Sequence, residues 1–553
     1  MPVQKINRLL HYYLQTLSPV HVGSGARLRK RMDYFSASGR IWLLHKQRFE
    51  SVLAKHQQAL EDYANSDDPD VYALAGRHHL DLASIIDTSY SGEAEAEEMF
   101  EFVRSGTGVP YLPGSSIKGA LRTVLLWKIS QDPNWQQSKP QLLAEALQAR
   151  DERWAATAFT ENAFNIAVKQ KRLNDSNHDL MRVLHVSDVH FSSDDIEFAD
   201  TRIFNLTDES SAGWKKMKSR NEKIPRDGTP LAAEALRLKA AAIVTLTIDD
   251  FLLQSDAAQI EGEFRKNAGL FNSLPKICND YAARQIAKQR AFFEKYKLTA
   301  LVNFYDELEK EHANLPEGDF LLRLSWGSGW QGMTGELVED SDDMQRIRKK
   351  FNMGKFEMKG DMPEECPVCG SKKIRPDNRK EETGFCFEGM HNFPAPGVKK
   401  VLFPIFPKTR KVVLDGSQPR YPFGWIVFRQ TQPQIPPAEN RSKFTPPPYK
   451  ATHKTGGAST QTPLPPPPPI PKQPKAQKEV AIRTGDKLRA ELFKIEPGKY
   501  FVRLLEKDAG RELTFTGTYL PVSVGDLVEV RVKATNPAGN QVTKIEFVSK
   551  IKK

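Results

Sequence analysis

Apolar residues never accumulate over the length of a bilayer. The longest candidate, AAAIVTLTIDDFLL (240–253), is interrupted by two aspartates, whereas a membrane-spanning helix needs about 20 predominantly apolar residues in a row. The opening MPVQKINRLLHYYLQTL shows no secretory h-region and no small-residue cleavage site. The expected location is the cytoplasm. Cysteine is scarce as well, with 4 in 553 residues, which argues against a disulfide framework as the source of stability. A third absence concerns YLPGSSIKGALRT (111–123). It has glycine, serine and lysine at the start of a helical run, yet it lacks the Walker order G-x-x-x-x-G-K-[ST]. Gly114 is followed by Ser115, Ser116, Ile117, Lys118 and only then Gly119. A nucleoside triphosphate is therefore not the expected ligand.

Basic charge is what the chain has in excess. Its 80 Lys+Arg against 69 Asp+Glu leave a net charge of +11. That balance suits a nucleic acid or an anionic surface. Proline is concentrated in residues 431–478, which include QPQIPPAENRSKFTPPPYK and TPLPPPPPIPKQPK. Such a stretch buries no core and favours extended polyproline II, so it reads as a semi-rigid linker. Beyond it, 479–553 carries five short, mostly alternating runs: KLRAELFKI, KYFVRLLE, ELTFTGTY, DLVEVRVKAT and QVTKIEFV. Turn residues separate them, and the expectation is an all-β small barrel of the OB or cold-shock kind. Tyr500, Phe501 and Phe515 are its candidates for stacking single-stranded bases.

The first 430 residues mix periods. LLHYYLQTL (9–17) and AIVTLTID (242–249) alternate as strands. KQRFESVLAKHQQALEDYA (46–64), IKGALRTVLLWKIS (117–130), PLAAEALRLKAAA (230–242), AARQIAKQRAFFEKY (282–296) and TALVNFYDELEKEH (299–312) have helical spacing. The expected class is α+β, with length for two domains.

Three glycine-rich loops carry the candidate chemistry. In SPVHVGSGARLRKR, His21, Gly23 and Gly25 precede Arg27, Arg29, Lys30 and Arg31. In YLPGSSIKGALRT, Gly114 precedes Ser115 and Ser116, either of which can cap a helix from Ile117, and Lys118 and Arg122 share a face of that helix. In LRLSWGSGWQG, Trp326 and Trp330 flank Gly327 and Gly329. Glycines let a backbone approach closely, and helix N-termini favour anions. Three such loops, two with cations and one with aromatics, point to a polyanion. FPKTRKVV adds Lys408 and Arg410.

Cys366-x2-Cys369-x16-Cys386-x4-His391 has zinc-site spacing. Three thiolates and one imidazole fill a tetrahedron, so one structural zinc ion is expected. Cys278 reads as a core cysteine. For catalysis the candidates are thin. His21 and Asp33 lie near the first loop, and HVSDVHF (185–191) offers His185, Asp188 and His190. A nuclease needs a placed acid/base pair or metal-held water. The simpler reading of these residues is structural, so no catalytic residue is assigned.

LSPVHVGSG, YLPGSSIKGALRT, LRLSWGSGW and FPKTRKVV…YPFGWIV, in that order, resemble the signatures of RAMP-superfamily subunits of type III-A CRISPR (Csm) effector complexes. Within these they are most similar to the family of the fifth Csm subunit. The resemblance touches residues 8–430 at scattered points. It implies two ferredoxin-like RAMP domains and an RNA-binding, non-catalytic subunit at the 3′ part of the crRNA. It also implies support of crRNA maturation and antiviral defence, with other Csm subunits, crRNA, target RNA and a host nuclease as partners. RAMP relatives also include endoribonucleases that process pre-crRNA, which is the alternative. A single-strand RNA scaffold that recruits a nuclease is a third reading. The expected domains are 1–210 and 211–430, with a zinc-knuckle insertion at 352–400, the linker at 431–478 and the OB-like barrel at 479–553. The insertion, linker and barrel depart from the family pattern.

Overall fold

A computed structural model describes residues 6–165, 167–168, 171–172, 176–207, 211–216, 221–254, 263–324, 326–338, 341–354, 356–377, 380–403, 405–437, 444–447, 487–496, 499–505, 512–516, 526–535 and 542–550. The chain forms two compact units, 1–453 and 454–553. Among the described residues no helix is long and apolar enough to cross a membrane.

The larger unit is α+β. One five-stranded sheet runs Leu184–Val186, Ala241–Asp249, Asn7–Thr16, Trp425–Arg429, Phe320–Arg323. Its central strand is the run read as LLHYYLQTL, where Tyr12 and Leu14 are buried. A second sheet places Ile196–Leu206 beside Leu231–Leu236 and Thr409–Asp415, and continues through Glu98–Phe102 to Gly23–Arg29. Helix Gly114–Ser130 contributes Ile117, Leu121, Val124 and Leu125 to the main core, together with Leu14 and Leu246. Helices Leu274–Lys295 and Thr299–Ala313 share a second core with Phe204, Leu321, Trp425 and Val427.

Three expectations are corrected. PLAAEALRLKAAA is not a helix: Leu231–Leu236 is a strand, with Ala232, Ala233 and Ala235 almost fully buried. Alanine's helix propensity is overridden because small side chains let a strand be covered on both faces. The 46–64 run is two helices, Lys46–Leu53 and Gln57–Ala64. Nor does the larger unit divide at residue 210. Ile196–Leu206 and Ala212–Lys215 pair within one sheet, and the strand Asn7–Thr16 pairs with strands from beyond residue 240.

The linker boundary moves too. Residues 431–437 and 444–447 are a strap on the larger unit. Gln15 Nε2 donates to the Gln434 carbonyl at 3.3 Å, Arg237 to that of Pro436 at 3.1 Å, and Tyr72 Oη to that of Pro447 at 3.0 Å. The Arg40 guanidinium lies 3.7 Å from the Phe444 ring centroid. The remainder of the proline tract, 448–478, falls outside the described residues.

The smaller unit contains the five expected strands, Lys487–Glu496, Lys499–Leu504, Glu512–Thr516, Leu527–Thr535 and Val542–Lys550. Its core holds Leu488, Leu492, Val502, Leu504, Val528 and Val530. Tyr500 and Phe515 belong to that core at 5 % and 4 % exposure, stacked on each other at 5.3 Å. They are packing residues, which corrects their assignment to a base-stacking face. Strand alternation turns them inward.

Candidate nucleic-acid interface and metal centre

The first and third glycine loops meet. The Trp326 N–H donates to the His21 carbonyl at 3.3 Å, and their rings lie 5.3 Å apart. Trp326 also packs on Phe100 and Phe423. Gly327, at φ +104°, passes Phe423 so closely that a Cβ would sit 2.9 Å from it. His21 is only 2 % exposed and donates from Nδ1 to the Glu234 carbonyl at 2.6 Å. Burial pushes its imidazole pKa down. It is therefore a neutral anchor beneath the loop, and its assignment as an RNA contact is corrected.

The exposed part of this loop is the strand Gly23–Arg29. Gly25 has φ +92°, a conformation that favours glycine. Arg27 pairs with Glu98 at 2.6 Å and lies 4.9 Å from the Phe100 centroid. Arg31 pairs with Asp68. The carboxylate of Asp33 accepts the Arg29 backbone N–H at 2.7 Å, closing a turn, so Asp33 has a structural task. Arg29 and Lys30 have no ion pair among the described residues.

The second loop is arranged differently. Its helix begins at Gly114 without a side-chain cap from Ser115 or Ser116. Instead Asp188 Oδ1 accepts the Gly114 N–H at 2.7 Å. The helix therefore starts ahead of the expected Ile117, and the protein's own carboxylate holds its first N–H. Gly114 is buried, and a Cβ there would stand 2.2 Å from the Val186 carbonyl oxygen. Arg122 donates twice to Asp179, at 2.7 and 3.0 Å, and lies 4.0 Å from the Phe164 centroid. Gly114 is thus a packing position, and Arg122 is engaged by Asp179 while remaining partly exposed. Lys118 is half-buried, and its pKa is lowered chiefly by desolvation. Ser115 and Gly119 remain exposed.

In the strand Thr409–Asp415 alternate residues part company. Arg410 turns toward the helices, donating to Gln289 at 2.9 Å and lying 4.2 Å from Phe292, with its pKa lowered to about 10 by desolvation. It is half-buried at the edge of the second core. Its neighbour Lys411 instead lies 4.5 Å from the Trp326 centroid, and burial lowers its pKa. Lys411 was missed in the sequence, although the two-residue period would have separated it from Arg410. Lys408 lies 5.4 Å from Phe403. Gly329, at φ +72°, is exposed at the start of a short helix in which Trp330 packs on Phe406.

The HVSDVHF triplet disperses. Asp188 caps Gly114, His190 stacks on Tyr111 at 5.7 Å, and His185 is exposed on its strand.

The cysteine–histidine set does converge. The donor atoms of Cys366, Cys369, Cys386 and His391 all lie within 4.8 Å of one another. Two knuckle bonds shape the first pair: the Cys366 N–H donates to the Ser371 carbonyl and the Gly370 N–H to that of Cys366, both at 2.8 Å. Cys386 and His391 face each other across a hairpin. His391 donates from Nδ1 to the Gly389 carbonyl at 3.0 Å, leaving Nε2 directed at Cys366 Sγ, 3.2 Å away. That backbone bond orients the ring as metal-ligating histidines require. Cys366 and Cys386 are buried with Phe393 and Val398, so the cluster has a small core of its own. Cys278 is buried elsewhere, and desolvation raises its thiol pKa.

Residues 13–239 match the family model of the RAMP superfamily. Over 139 residues the chain is 27% identical to the CRISPR system Cms protein Csm5 of Streptococcus thermophilus, an alignment covering 22% of this chain and 38% of that protein. The chain thus spans well under half the length of this curated relative. Two solved structures are similar. One is from the cryo-EM structure of the Csm–crRNA–target RNA ternary complex of a type III-A CRISPR-Cas system, with TM-score 0.47 and 19% identity over 76% of this chain and 99% of that one. The other is the crystal structure of T. onnurineus Csm5, with TM-score 0.45 and 17% identity over 75% and 99%. The resemblance carried by the four motifs is borne out.

Proposed function

We propose that this chain is a non-catalytic RNA-binding subunit of a type III-A CRISPR effector complex. It binds the 3′ part of crRNA and supports crRNA maturation in antiviral defence, beside other Csm subunits and with target RNA and a recruited nuclease as further partners. The observation that carries the reading is the joined first and third loops. They offer the exposed Arg29 at the end of a glycine-bearing strand, followed by the half-buried Lys30, together with a loop in which Trp326 contacts His21 and Lys411. Exposed cations on a strand that can approach a backbone closely suit phosphates of any sequence. The buried, neutral His21 gives that surface a firm base rather than a proton donor.

The four-residue cluster fits structural zinc. Cys366, Cys369, Cys386 and His391 would hold the ion with no place left for water, and the metal would supply folding energy rather than chemistry.

The test is to incubate the purified chain with repeat-containing RNA, with and without divalent metal. The expected outcome is retention of intact RNA under both conditions. Specific cleavage would replace this reading with the endoribonuclease one. Metal analysis under reducing conditions should find close to one zinc per chain. In Gly389→Ala the content should fall, because a Cβ would stand 2.1 Å from the His391 ring.

A further inference from the structure

The smaller unit has a second face, opposite its core. Its strands lie in the order Glu512–Thr516, Lys499–Leu504, Lys487–Glu496, Leu527–Thr535, Val542–Lys550, with every neighbouring pair antiparallel. The outer strands approach each other through Phe515 and Phe547, whose rings are 5.7 Å apart. Numbered along the chain, this is 3-2-1-4-5 with 3 near 5, the connectivity of a five-stranded Greek-key barrel. In that architecture the face of strands 2 and 3 is a place where oligonucleotides bind.

Here strand 2 of that face, together with the adjoining strand 1, carries a specific set of side chains. The register slips between Leu492 and Lys494. Phe493 and Phe501 are half-buried, outside the core, with centroids 6.4 Å apart. Lys494 Nζ lies 5.0 Å from the Phe501 ring, and the Arg503 guanidinium 5.3 Å from that of Phe493. Arg489, Arg503 and Thr514 are exposed. Glu491 is opposite Arg503 and Glu529 opposite Arg489 in the register, so the face is mixed in charge away from the two rings. A ring with a cation at its edge can take a base on its surface and a phosphate beside it. That pairing of stacking and charge is how single strands are bound without regard to sequence.

We propose that Phe493 and Phe501, with Lys494 and Arg503, form a single-stranded nucleic-acid site on the barrel. The site is separate from the loops of the larger unit and does not depend on them. Its ligand is a short run of unpaired nucleotides, read through base faces and phosphates. The inward pair Tyr500 and Phe515 supports the fold and does not touch the strand.

The experiment uses the full chain and two photoreactive 12-nucleotide probes, one a 4-thiouridine RNA and one a 4-thiothymidine DNA, with cross-linked peptides mapped by mass spectrometry. Cross-links within 487–516 are expected with RNA. A similar yield with DNA would show that the 2′-hydroxyl is not read, and still supports the site. The double variant Phe493→Ala/Phe501→Ala should lower that yield about tenfold or more, as loss of one or two stacked bases implies, while cross-links within 6–447 persist. Phe501→Trp should retain the yield. If the double variant loses the wild-type protease resistance of the barrel, Lys494→Glu/Arg503→Glu replaces it, with the same loss expected. A wild-type chain that cross-links only within 6–447 overturns the barrel site and leaves the reading of the larger unit standing. Unchanged yield in a folded variant overturns it as well.

Discussion

Two loops with nearly the same vocabulary, glycine and serine followed by basic residues, end in opposite states. In the loop around Gly25, the acids pair with Arg27 and Arg31, while the exposed Arg29 and the half-buried Lys30 have no ion pair among the described residues. In the loop around Gly114, Asp188 takes the helix N-terminus and Asp179 takes Arg122. A cation-rich glycine loop is thus only half of an anion site. The other half is whether the fold supplies its own carboxylate first. Coulombic satisfaction inside the protein removes the group from competition for a ligand, since breaking a half-buried pair leaves a charge without its partner.

The contrast can be pressed hardest at the two glycines. Gly114→Ala would force a methyl group onto the Val186 carbonyl. The expected loss is about 3 kcal/mol of stability, at the upper end for overpacking, measured by denaturant unfolding of the larger unit. Gly25→Ala meets nothing within 4 Å, and only its φ of +92° opposes it, so about 1 kcal/mol is expected. Equal losses would mean that the two loops are equally constrained.

The salt dependence of RNA binding separates the loops next. Arg29→Ala/Lys30→Ala should flatten the slope of log K against log salt by about 1.4, for two phosphates on a single strand at roughly 0.7 each. Lys118→Ala/Arg122→Ala should change the slope by less than half of that and lower stability instead, because Arg122 is committed to Asp179. The reverse ranking, from filter binding at several salt concentrations, would invert the assignment.

A smaller effect concerns pH. His21 has a folded pKa below its ordinary value of 6.5, caused first by desolvation. The unfolded chain therefore takes up a proton that the folded chain refuses. Stability should be complete above about 6.5, fall as pH drops through it, and level off once the lower folded value is passed. In His21→Gln that part of the pH dependence should vanish. An unchanged profile would show that His21 is not the neutral anchor of the first loop.

The same contrast explains what could be read from the chain alone. The central strand, the helix from Gly114, the five strands of the smaller unit and the cysteine–histidine set each declare themselves within a few residues, through period, spacing or turn chemistry. His21 and Arg122 do not. Their partners Glu234 and Asp179 are 213 and 57 residues away, and no local pattern announces a carbonyl brought in by sheet pairing or a carboxylate from a distant turn. The run around Ala232 failed for a related reason: its alanines satisfy helix propensity, while burial between two strands decided the outcome. Tyr500 and Phe501 show the finest grain. They are adjacent in sequence, yet one is core and the other is not, and the parity of the strand could be set only once its neighbours were known.

The strap segments 431–437 and 444–447 give the larger unit a mechanical property. Force applied from the C-terminal side reaches the Pro447–Tyr72 bond first, then the ring of Phe444 on Arg40, then the Pro436 and Gln434 carbonyls. Only behind these lies Trp425–Arg429, a strand held on both sides in the main sheet. The contacts lie in series along the chain, like the teeth of a zip, so they are loaded one after another. A pull from that side is met first by these surface contacts, and the five-stranded sheet behind them is spared the shear.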